Sequence, residues 1–231
     1  VMPGDQTMPR IVSNGSGGAI IVWQDYRSGA ESDLYAQQID PSGRSLWQAG
    51  GLALSIAPGS QRLPQIISDQ QNGAIIVWED SRTSAIPAQF DLYAQRVSGT
   101  GALLWAGEDV AISRSPGNQR LTFEGSVVSD GNGGVITVWK DERNGIANSD
   151  IYAQRLSGNG ISLWQNDGIS VCVAENQQSQ PRLASDGAGG AFFVWSDFRD
   201  LADFALTGYV QHFDNTGRPL WTQDGVKFSS S

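Results

Sequence analysis

The sequence is poor in several reactive residue types, with one cysteine, one histidine and two methionines in 231 residues. The single cysteine, Cys172, excludes an internal disulfide. Because it lies in the apolar run 169–174, we expect a buried small side chain and not a nucleophile. Basic residues are also scarce. The chain has 15 Lys and Arg but 24 Asp and Glu, which gives a formal net charge of −9. This balance argues against nucleic acid or an anionic membrane surface as a partner, because phosphate neutralisation needs clustered cations.

Long hydrophobic runs are missing as well. No apolar segment approaches the roughly 18 residues needed for a membrane span. The first residues also lack the pattern of a signal peptide, a feature that carries no information if the chain is a mature domain. We therefore expect no membrane insertion.

Metal-ligand and cofactor signatures are absent from the sequence too. The Gly-rich segments 130–134 and 186–190 are superficially similar to calcium-binding repeats, but calcium needs six to eight oxygens and each segment offers one Asp. We expect hairpin turns there, no metal and no cofactor. His212 has no neighbouring nucleophile or ligand in its pattern and is expected to be structural.

Tryptophan, in contrast, is regularly placed. All eight tryptophans fall into two evenly spaced series, which are Trp23, Trp78, Trp139 and Trp195, and Trp47, Trp105, Trp164 and Trp221. The chain is therefore four copies of a unit of about 57 residues, with approximate bounds 5–58, 59–116, 117–176 and 177–231. Such a unit buries its apolar face against neighbouring copies, so we expect residues 1–231 to form a single domain.

Each copy predicts four strands. Gly-rich turns precede apolar, β-branched runs at 19–23, 74–78, 135–139 and 191–195, and third strands follow at 34–39, 92–97, 151–156 and 208–213. Four strands with short polar connections predict an antiparallel meander, and its radial repetition predicts an all-β, four-bladed β-propeller. The alternatives are four blades of a larger ring or array, and a β-helix or open β-solenoid. In the third copy, an insertion near 121–125 is expected to bring Phe123 and Glu124 into the first strand.

The most regular polar motif is Trp-x-Asp-x-Arg at the end of each second strand. Its members are Trp23, Asp25, Arg27, Trp78, Asp80, Arg82, Trp139, Asp141, Arg143, Trp195, Asp197 and Arg199, and three copies add Asp33, Asp91 or Asp150 before the third strand. One interpretation is a ring of charged groups at one mouth, suited to acidic sugars or metal ions. The favoured one is structural, with each Arg held by charge-assisted hydrogen bonds to Asp. A ligand site rarely needs the same group in every copy, whereas folding does.

A second motif is a turn of the form Asp-x-x-Gly before each Leu-Trp pair. It reads Asp40 to Gly43 and Asp214 to Gly217, with Ser98 and Ser157 replacing Asp in the middle copies. This turn is loosely similar to the Asp-box hairpin of sialidase-type propellers. The resemblance implies a folding element in which Asp caps its own turn. No sialidase arginine triad or Tyr-Glu pair is found.

The whole repeat, with its Trp-x-Asp-x-Arg, Asp-x-Tyr-Ala-Gln-Arg and Gly-x-x-Leu-Trp segments, resembles repeats of large secreted bacterial proteins. The resemblance covers essentially all of the chain. It implies a secreted or cell-surface propeller and no particular chemistry.

The copies differ most in the loops between their second and third strands. The loops at 83–90 and 200–206 are the longest and carry Ile86, Phe90, Leu201 and Phe204, which we predict to bind a ligand. The alternative is that these loops fold back and bury their apolar groups against their own blade.

Three hypotheses of function follow. The leading one is a non-enzymatic binding or scaffold module that recognises a glycan or a protein through loops at one mouth of the ring. The second is a carbohydrate-active enzyme, a glycosidase or lyase, for which Glu108, Glu124 and Glu175 break the repeat symmetry, although none has a clear partner and no catalytic residue is assigned. The third is a structural unit that assembles with itself or with neighbouring repeats of a longer chain.

Overall fold

The structure is a computed structural model that describes residues 3–83, 89–105, 109–199 and 206–228. It divides into two compact units, Val1–Ala111 and Ile112–Ser231. Each contains two copies of the repeat, and we call them unit 1 and unit 2.

Unit 1 contains two antiparallel meanders in which each strand pairs with the next. Sheet 1 consists of β1 (Gln6–Ser13), β2 (Ala19–Asp25), β3 (Asp33–Ile39) and β4 (Leu52–Ser55). Sheet 2 consists of β5 (Gln61–Ser68), β6 (Ala74–Asp80), β7 (Asp91–Val97) and β8 (Val110–Ser113), and the division between the units falls within β8.

Unit 2 repeats this arrangement. Sheet 3 consists of β9 (Gln119–Arg120), β10 (Val127–Ser129), β11 (Val135–Asp141), β12 (Asp150–Leu156) and β13 (Ile169–Cys172). Sheet 4 consists of β14 (Gln178–Ser185), β15 (Ala191–Asp197), β16 (Thr207–Phe213) and β17 (Val226–Lys227). A short 3-10 helix, Ile146–Asn148, precedes β12. The all-β prediction with one four-stranded antiparallel meander in each copy is thereby confirmed.

The first strand of the third copy differs from the prediction. β9 and β10 both pair with β11, and the residues between them leave the ladder, with Phe123 and Glu124 exposed. The expectation that the insertion places these two residues in the strand was wrong. The reason is that Ser126 and Thr122 hydrogen bond to each other and close the inserted segment as a separate loop.

Each unit has its own apolar core between its two sheets. In unit 1 the core joins Ile20 and Val22 of β2 to Ile76 and Trp78 of β6. In unit 2 it joins Ile136 and Val138 of β11 to Phe193 and Trp195 of β15. Alternate side chains of a strand point to the same face, so Ile20 and Val22, for example, enter the core together. The second strands can pack against a sheet on either side because both of their faces are apolar. Among the described residues, no helix is long and apolar enough to cross a membrane.

Candidate functional site

The Trp-x-Asp-x-Arg motif forms one buried cluster in each sheet. In sheet 1, Asp25 accepts hydrogen bonds from Trp23 Nε1 at 2.8 Å, from the Arg27 backbone N at 2.9 Å and from Arg27 Nη2 at 2.5 Å. Asp80, Asp141 and Asp197 accept the same three bonds in their own motifs. All four carboxylates are fully buried. Each carboxylate is buried and accepts its hydrogen bonds from its own motif. The four carboxylates are therefore not exposed for binding a ligand.

The arginine of each motif also covers the tyrosine of the third strand. The guanidinium carbons of Arg27, Arg82, Arg143 and Arg199 lie 3.6, 4.2, 3.7 and 3.9 Å from the ring centres of Tyr35, Tyr93, Tyr152 and Tyr209. This geometry is a cation–π contact. The same tyrosines pair with the motif tryptophans across the ladder, so the motif ties the second strand to the third.

Hydrogen bonding lowers the pKa of two of these buried carboxyls, Asp25 and Asp197. Burial by itself raises the pKa of Asp25, but hydrogen bonds from Arg27 and Trp23 outweigh it and lower the pKa to about 2. The pKa of Asp197 is lowered in the same way, against burial, by Arg199 and Trp195. Asp25 and Asp197 are therefore anionic at neutral pH.

The additional carboxylates before the third strands have neutral partners. Asp33 accepts a hydrogen bond from Ser28 Oγ at 2.6 Å, Asp91 from Thr83 Oγ1, and Asp150 from Asn144 Nδ2 at 2.8 Å. Burial raises the pKa of Asp150, and the nearby charge of Asp141 acts in the same direction. The environment of Asp150 therefore shifts its titration towards the protonated form.

A cleft that the motif borders lies in unit 1, between β4 and residues of sheet 2. This cavity of about 590 Å³, the unit 1 cleft, is lined by Ser55, Ile56, Arg82, Leu103, Trp105 and Asp109, among others. Arg82 Nη2 donates to Asp80 Oδ2 and Asp109 Oδ2, both at 2.6 Å, and to Ser55 Oγ at 3.0 Å. Ser55 Oγ in turn donates to Asp109 at 2.7 Å. The cleft therefore presents one carboxylate, Asp109, held on a guanidinium that also binds the buried Asp80.

Asp109 breaks the fourfold regularity of the repeat. The corresponding positions in the other copies are Gly51, Gly168 and Gly225, all with a positive φ. A Cβ at any of these three glycines would lie 2.5 Å from the motif tryptophan ring of its own sheet. In the second copy, Asp109 replaces the glycine that packs against the tryptophan, and its carboxylate binds Arg82. Asp109 was not among the predicted site residues, although it is the one non-glycine residue at this position of the four copies.

Unit 2 has a smaller cleft of about 370 Å³, lined by Ile169, Val171, Gln211 and Asp224, among others. On β13, Cys172 stands at the repeat position of Ser55, and Arg199 Nη2 lies 3.0 Å from its sulfur, but neither residue lines this cleft. Cys172 is buried, as predicted, and burial raises the pKa of its thiol to about 12. The thiol is therefore neutral, and in the fourth copy Gly225 stands at the position that Asp109 holds in the second.

The predicted loop site is only partly described. Ile86, Leu201 and Phe204 lie outside the described residues, as does Glu108, and their predicted roles stay predictions. Phe90, the described member of the predicted ligand site, is buried, in agreement with the alternative that the loop folds back against its own blade. It is 5% exposed, and the guanidinium carbon of Arg62 lies 3.5 Å from its ring centre. A basic side chain that covers the ring explains how an apolar loop residue is shielded from water.

The other residues that break the repeat symmetry are placed as follows. Glu124 and Glu175 are exposed. His212 Nε2 lies 3.0 Å from Asp186 Oδ2, and its ring stacks on Phe192 at 4.1 Å. Within the described residues, no group of three or more His, Cys, Asp or Glu side chains could hold a metal ion.

Comparison with solved structures shows the fold. The chain is similar to a Penicillium chrysogenum α-L-arabinanase complexed with arabinobiose, with a TM-score of 0.54 and 11% identity over 98% of this chain and 69% of that one. It is also similar to a Dyadobacter fermentans DSM 18053 protein of unknown function, with a TM-score of 0.60 and 11% identity over 96% and 71%. A third similar structure is a polysaccharide lyase of family PL25, an ulvan lyase bound to a GlcA–Rha3S saccharide, with a TM-score of 0.53 and 11% identity over 96% and 58%.

No protein-family model and no curated protein matches the chain. At these identities the structural similarity shows the fold alone. The four sheets match those of β-propellers, including five-bladed propeller glycoside hydrolases, and the propeller fold is shared with carbohydrate-active enzymes.

Proposed function

We propose that the chain is a carbohydrate-recognising β-propeller module that binds a neutral glycan in the unit 1 cleft. The observation that carries the proposal is the arrangement of Asp109, Arg82 and Ser55 at the edge of a cavity of about 590 Å³. Side chains of Asp109 and Arg82 reach the cleft, with 11% and 17% of their surfaces exposed. Carboxylate oxygens accept hydrogen bonds from sugar hydroxyls, and hydrogen bonds to charged groups are among the strong ones.

The rim of the cleft suits the apolar faces of a sugar ring. Ile56 and Leu103 line the cavity and are well exposed. A site with a few convergent polar groups and an apolar wall is the usual form of a small-ligand pocket. Comparison supports the ligand class, since the similar arabinanase and ulvan lyase structures contain bound saccharides.

The negative charge at the unit 1 cleft favours binding of neutral glycans over acidic ones. Asp80 and Asp109 share the single guanidinium of Arg82, so this cluster carries an excess negative charge, and the whole chain has a formal net charge of −9. An acidic sugar would be repelled at this cleft unless it displaced a carboxylate from Arg82. We therefore place neutral oligosaccharides such as arabino-oligosaccharides ahead of uronic-acid oligosaccharides.

The test is isothermal titration calorimetry with both classes of oligosaccharide. Asp109→Asn keeps the size of the side chain but removes its charge. We expect it to weaken binding of the neutral ligand at least about tenfold, because a hydrogen bond to a charged group contributes about 1.5–3 kcal/mol. Asp224→Asn in the unit 2 cleft is the matched control and should leave the Kd unchanged. Equal affinities for the parent and Asp109→Asn would remove the cleft from the proposal.

A second candidate is a carbohydrate-active enzyme, as in the hydrolases and lyases that share the propeller fold. The observation that favours it is the pair Asp141 and Asp150, which face each other in the β11–β12 register. Asp141 is paired with Arg143, whereas the pKa of Asp150 is raised by burial. Two carboxyls in different environments are what glycoside hydrolysis uses. We rank this candidate second because Asp150 is almost fully buried.

Release of reducing ends or of unsaturated uronic acids from a polysaccharide panel tests the enzyme candidate. Activity that disappears in Asp150→Asn but persists in the control Asp33→Asn would support it. A panel without product, using protein that binds the neutral glycan, would favour the binding module.

An extracellular location belongs to the same proposal and rests on the resemblance to secreted bacterial repeats. Detection of the chain in the culture medium of its native cell tests it.

A further inference from the structure

Neighbouring sheets within each unit are joined by a repeated contact. The indole Nε1 of Trp47 donates to the backbone O of Gly99 in the turn of sheet 2, at 3.1 Å. In unit 2, Trp164 Nε1 donates to the backbone O of Asn215 in the turn of sheet 4, at 3.2 Å. In both units, a tryptophan after the third strand of one sheet therefore binds the Asp-x-x-Gly-type turn of the next.

This contact needs a glycine in the receiving turn. A Cβ on Gly101 would lie 3.2 Å from the Trp47 ring, and a Cβ on Gly217 would lie 2.9 Å from the Trp164 ring. These distances are below ordinary carbon–carbon contact, so the indole rests directly on the glycine. A donor tryptophan and an acceptor turn with glycine thus define the two sides of the sheet-to-sheet interface.

Sheet 4 presents the donor side of such an interface, and part of that side is exposed. Along β15 and β16, buried residues alternate with half-buried ones, and Phe192, Val210 and His212 lie on the half-buried face. Trp221, the donor equivalent to Trp164, is 40% exposed, whereas Trp164 is 6% exposed. A cavity of about 630 Å³ opens beside it, lined by Val210, Leu220, Trp221, Thr222, Val226, Lys227 and Phe228.

The exposed apolar groups form one continuous surface. Leu220, Trp221, Val226 and Phe228 are 53%, 40%, 42% and 62% exposed and line the same cavity. The Trp221 ring centre lies 5.9 Å from Phe192 and 5.8 Å from His212, so these aromatic groups extend the surface across the sheet. A contiguous apolar surface of this kind marks an interaction site.

Sheet 1 carries the acceptor side. Its turn from Asp40 to Gly43 has the same form as the receiving turns of sheets 2 and 4, and residues 41–43 are exposed. Around Gly43, which has φ +81°, no atom of the described residues lies within 4 Å of a Cβ position. On the strands behind this turn, Ile21, Trp23 and Tyr35 are only half-buried, although Phe193, Trp195 and Tyr209 at the corresponding positions of sheet 4 are buried.

We propose that sheet 4 binds sheet 1 of a second copy of this chain. In this contact the Trp221 indole rests on Gly43 of the second copy and donates to the backbone O of Pro41, which corresponds to Gly99 and Asn215. The second copy is the occupant because its first sheet has the turn, the glycine and the half-buried face that the two observed interfaces use. Donor and acceptor sides differ, so the contact is heterologous and joins chains head to tail.

The experiment is the solution mass of the chain, measured by sedimentation equilibrium over a wide range of concentration. We expect a mass that rises above the 24.7 kDa of one chain as concentration increases. Trp221→Ala removes the donor. Gly43→Asn blocks the acceptor with a side chain that tolerates a positive φ. Each variant alone should remain at the mass of one chain.

Mixing the two variants gives the sharpest test. Trp221→Ala retains an acceptor and Gly43→Asn retains a donor, so the mixture should form a complex of two chains and no larger species. Ile161→Ala, at another exposed apolar residue, and Gly131→Asn, at another open glycine with positive φ, are the matched controls and should associate like the parent. A parent that stays at the mass of one chain, or variants that associate as the parent does, would overturn the proposal.

Discussion

Replacing Asp141 by alanine should destabilise unit 2 strongly. The Asp141 carboxylate is fully buried and accepts four hydrogen bonds, from Trp139 Nε1 at 2.7 Å and from the backbone N, Nε and Nη2 of Arg143 at 2.9, 2.8 and 2.7 Å. Its removal leaves a buried indole N–H and a largely buried guanidinium without their acceptor. Breaking a buried ion pair from one side costs about 3–5 kcal/mol. Domains are stable by only about 5–15 kcal/mol, so this loss is large.

The assay is urea unfolding followed by tryptophan fluorescence. With an m value of about 2 kcal/mol/M, a loss of about 4 kcal/mol lowers the midpoint by about 2 M. Asp214→Ala is the control in the same unit, because Asp214 accepts three hydrogen bonds from Thr216 and Arg218 in an exposed turn. It should cost about 1 kcal/mol, since water can replace the lost acceptor.

Two results would refute this reasoning. The first is an Asp141→Ala variant no less stable than Asp214→Ala, which would mean that burial does not decide the cost. The second is a double variant with Arg143→Met that loses the full sum of the two single effects. We expect the double variant to lose less than that sum, because removing both partners leaves no unpaired charge.

Two further predictions concern pH and packing. The pKa of Asp25 is about 2 in the folded chain, below its ordinary value of 3.8. Its stabilising contribution is therefore present above pH 3.8 and is lost as the pH falls towards 2. The free energy of unfolding, measured as a function of pH in acid, should show this fall, and Arg27→Met should make the dependence on pH weaker. Gly168→Ala should cost more than about 2 kcal/mol, because its Cβ would lie 2.5 Å from the Trp139 ring. Gly131→Ala, also at positive φ but in open space, should cost about 1 kcal/mol in the same thermal or urea unfolding measurement, and equal losses for the two glycines would contradict the packing argument.

The sequence by itself determined the repeat, the second and third strands of each copy and the order of the strands. Trp23 and Tyr35, which pair across β2 and β3, are an example. Tryptophan is rare and recurs at a fixed spacing, and the side chains of a strand alternate with a period of two residues, so both signals can be found in the sequence. The same holds for the turn at Asp40, where the carboxylate caps the backbone of its own next residues as the pattern implies. Such features depend on neighbours in the chain, which the sequence displays directly.

Other features required the tertiary structure. The unit 1 cleft exists because Asp109, Arg82 and Ser55 come from three separate segments, and their contacts depend on how two sheets pack. The burial of Phe90 was hidden for the same reason, since the cation that covers it, Arg62, lies on another strand. Exposed Trp221 also looks identical in sequence to buried Trp164. Local spacing shows which residues recur, but only packing between sheets decides which copy of a recurring residue is covered and which is open to a ligand or a partner.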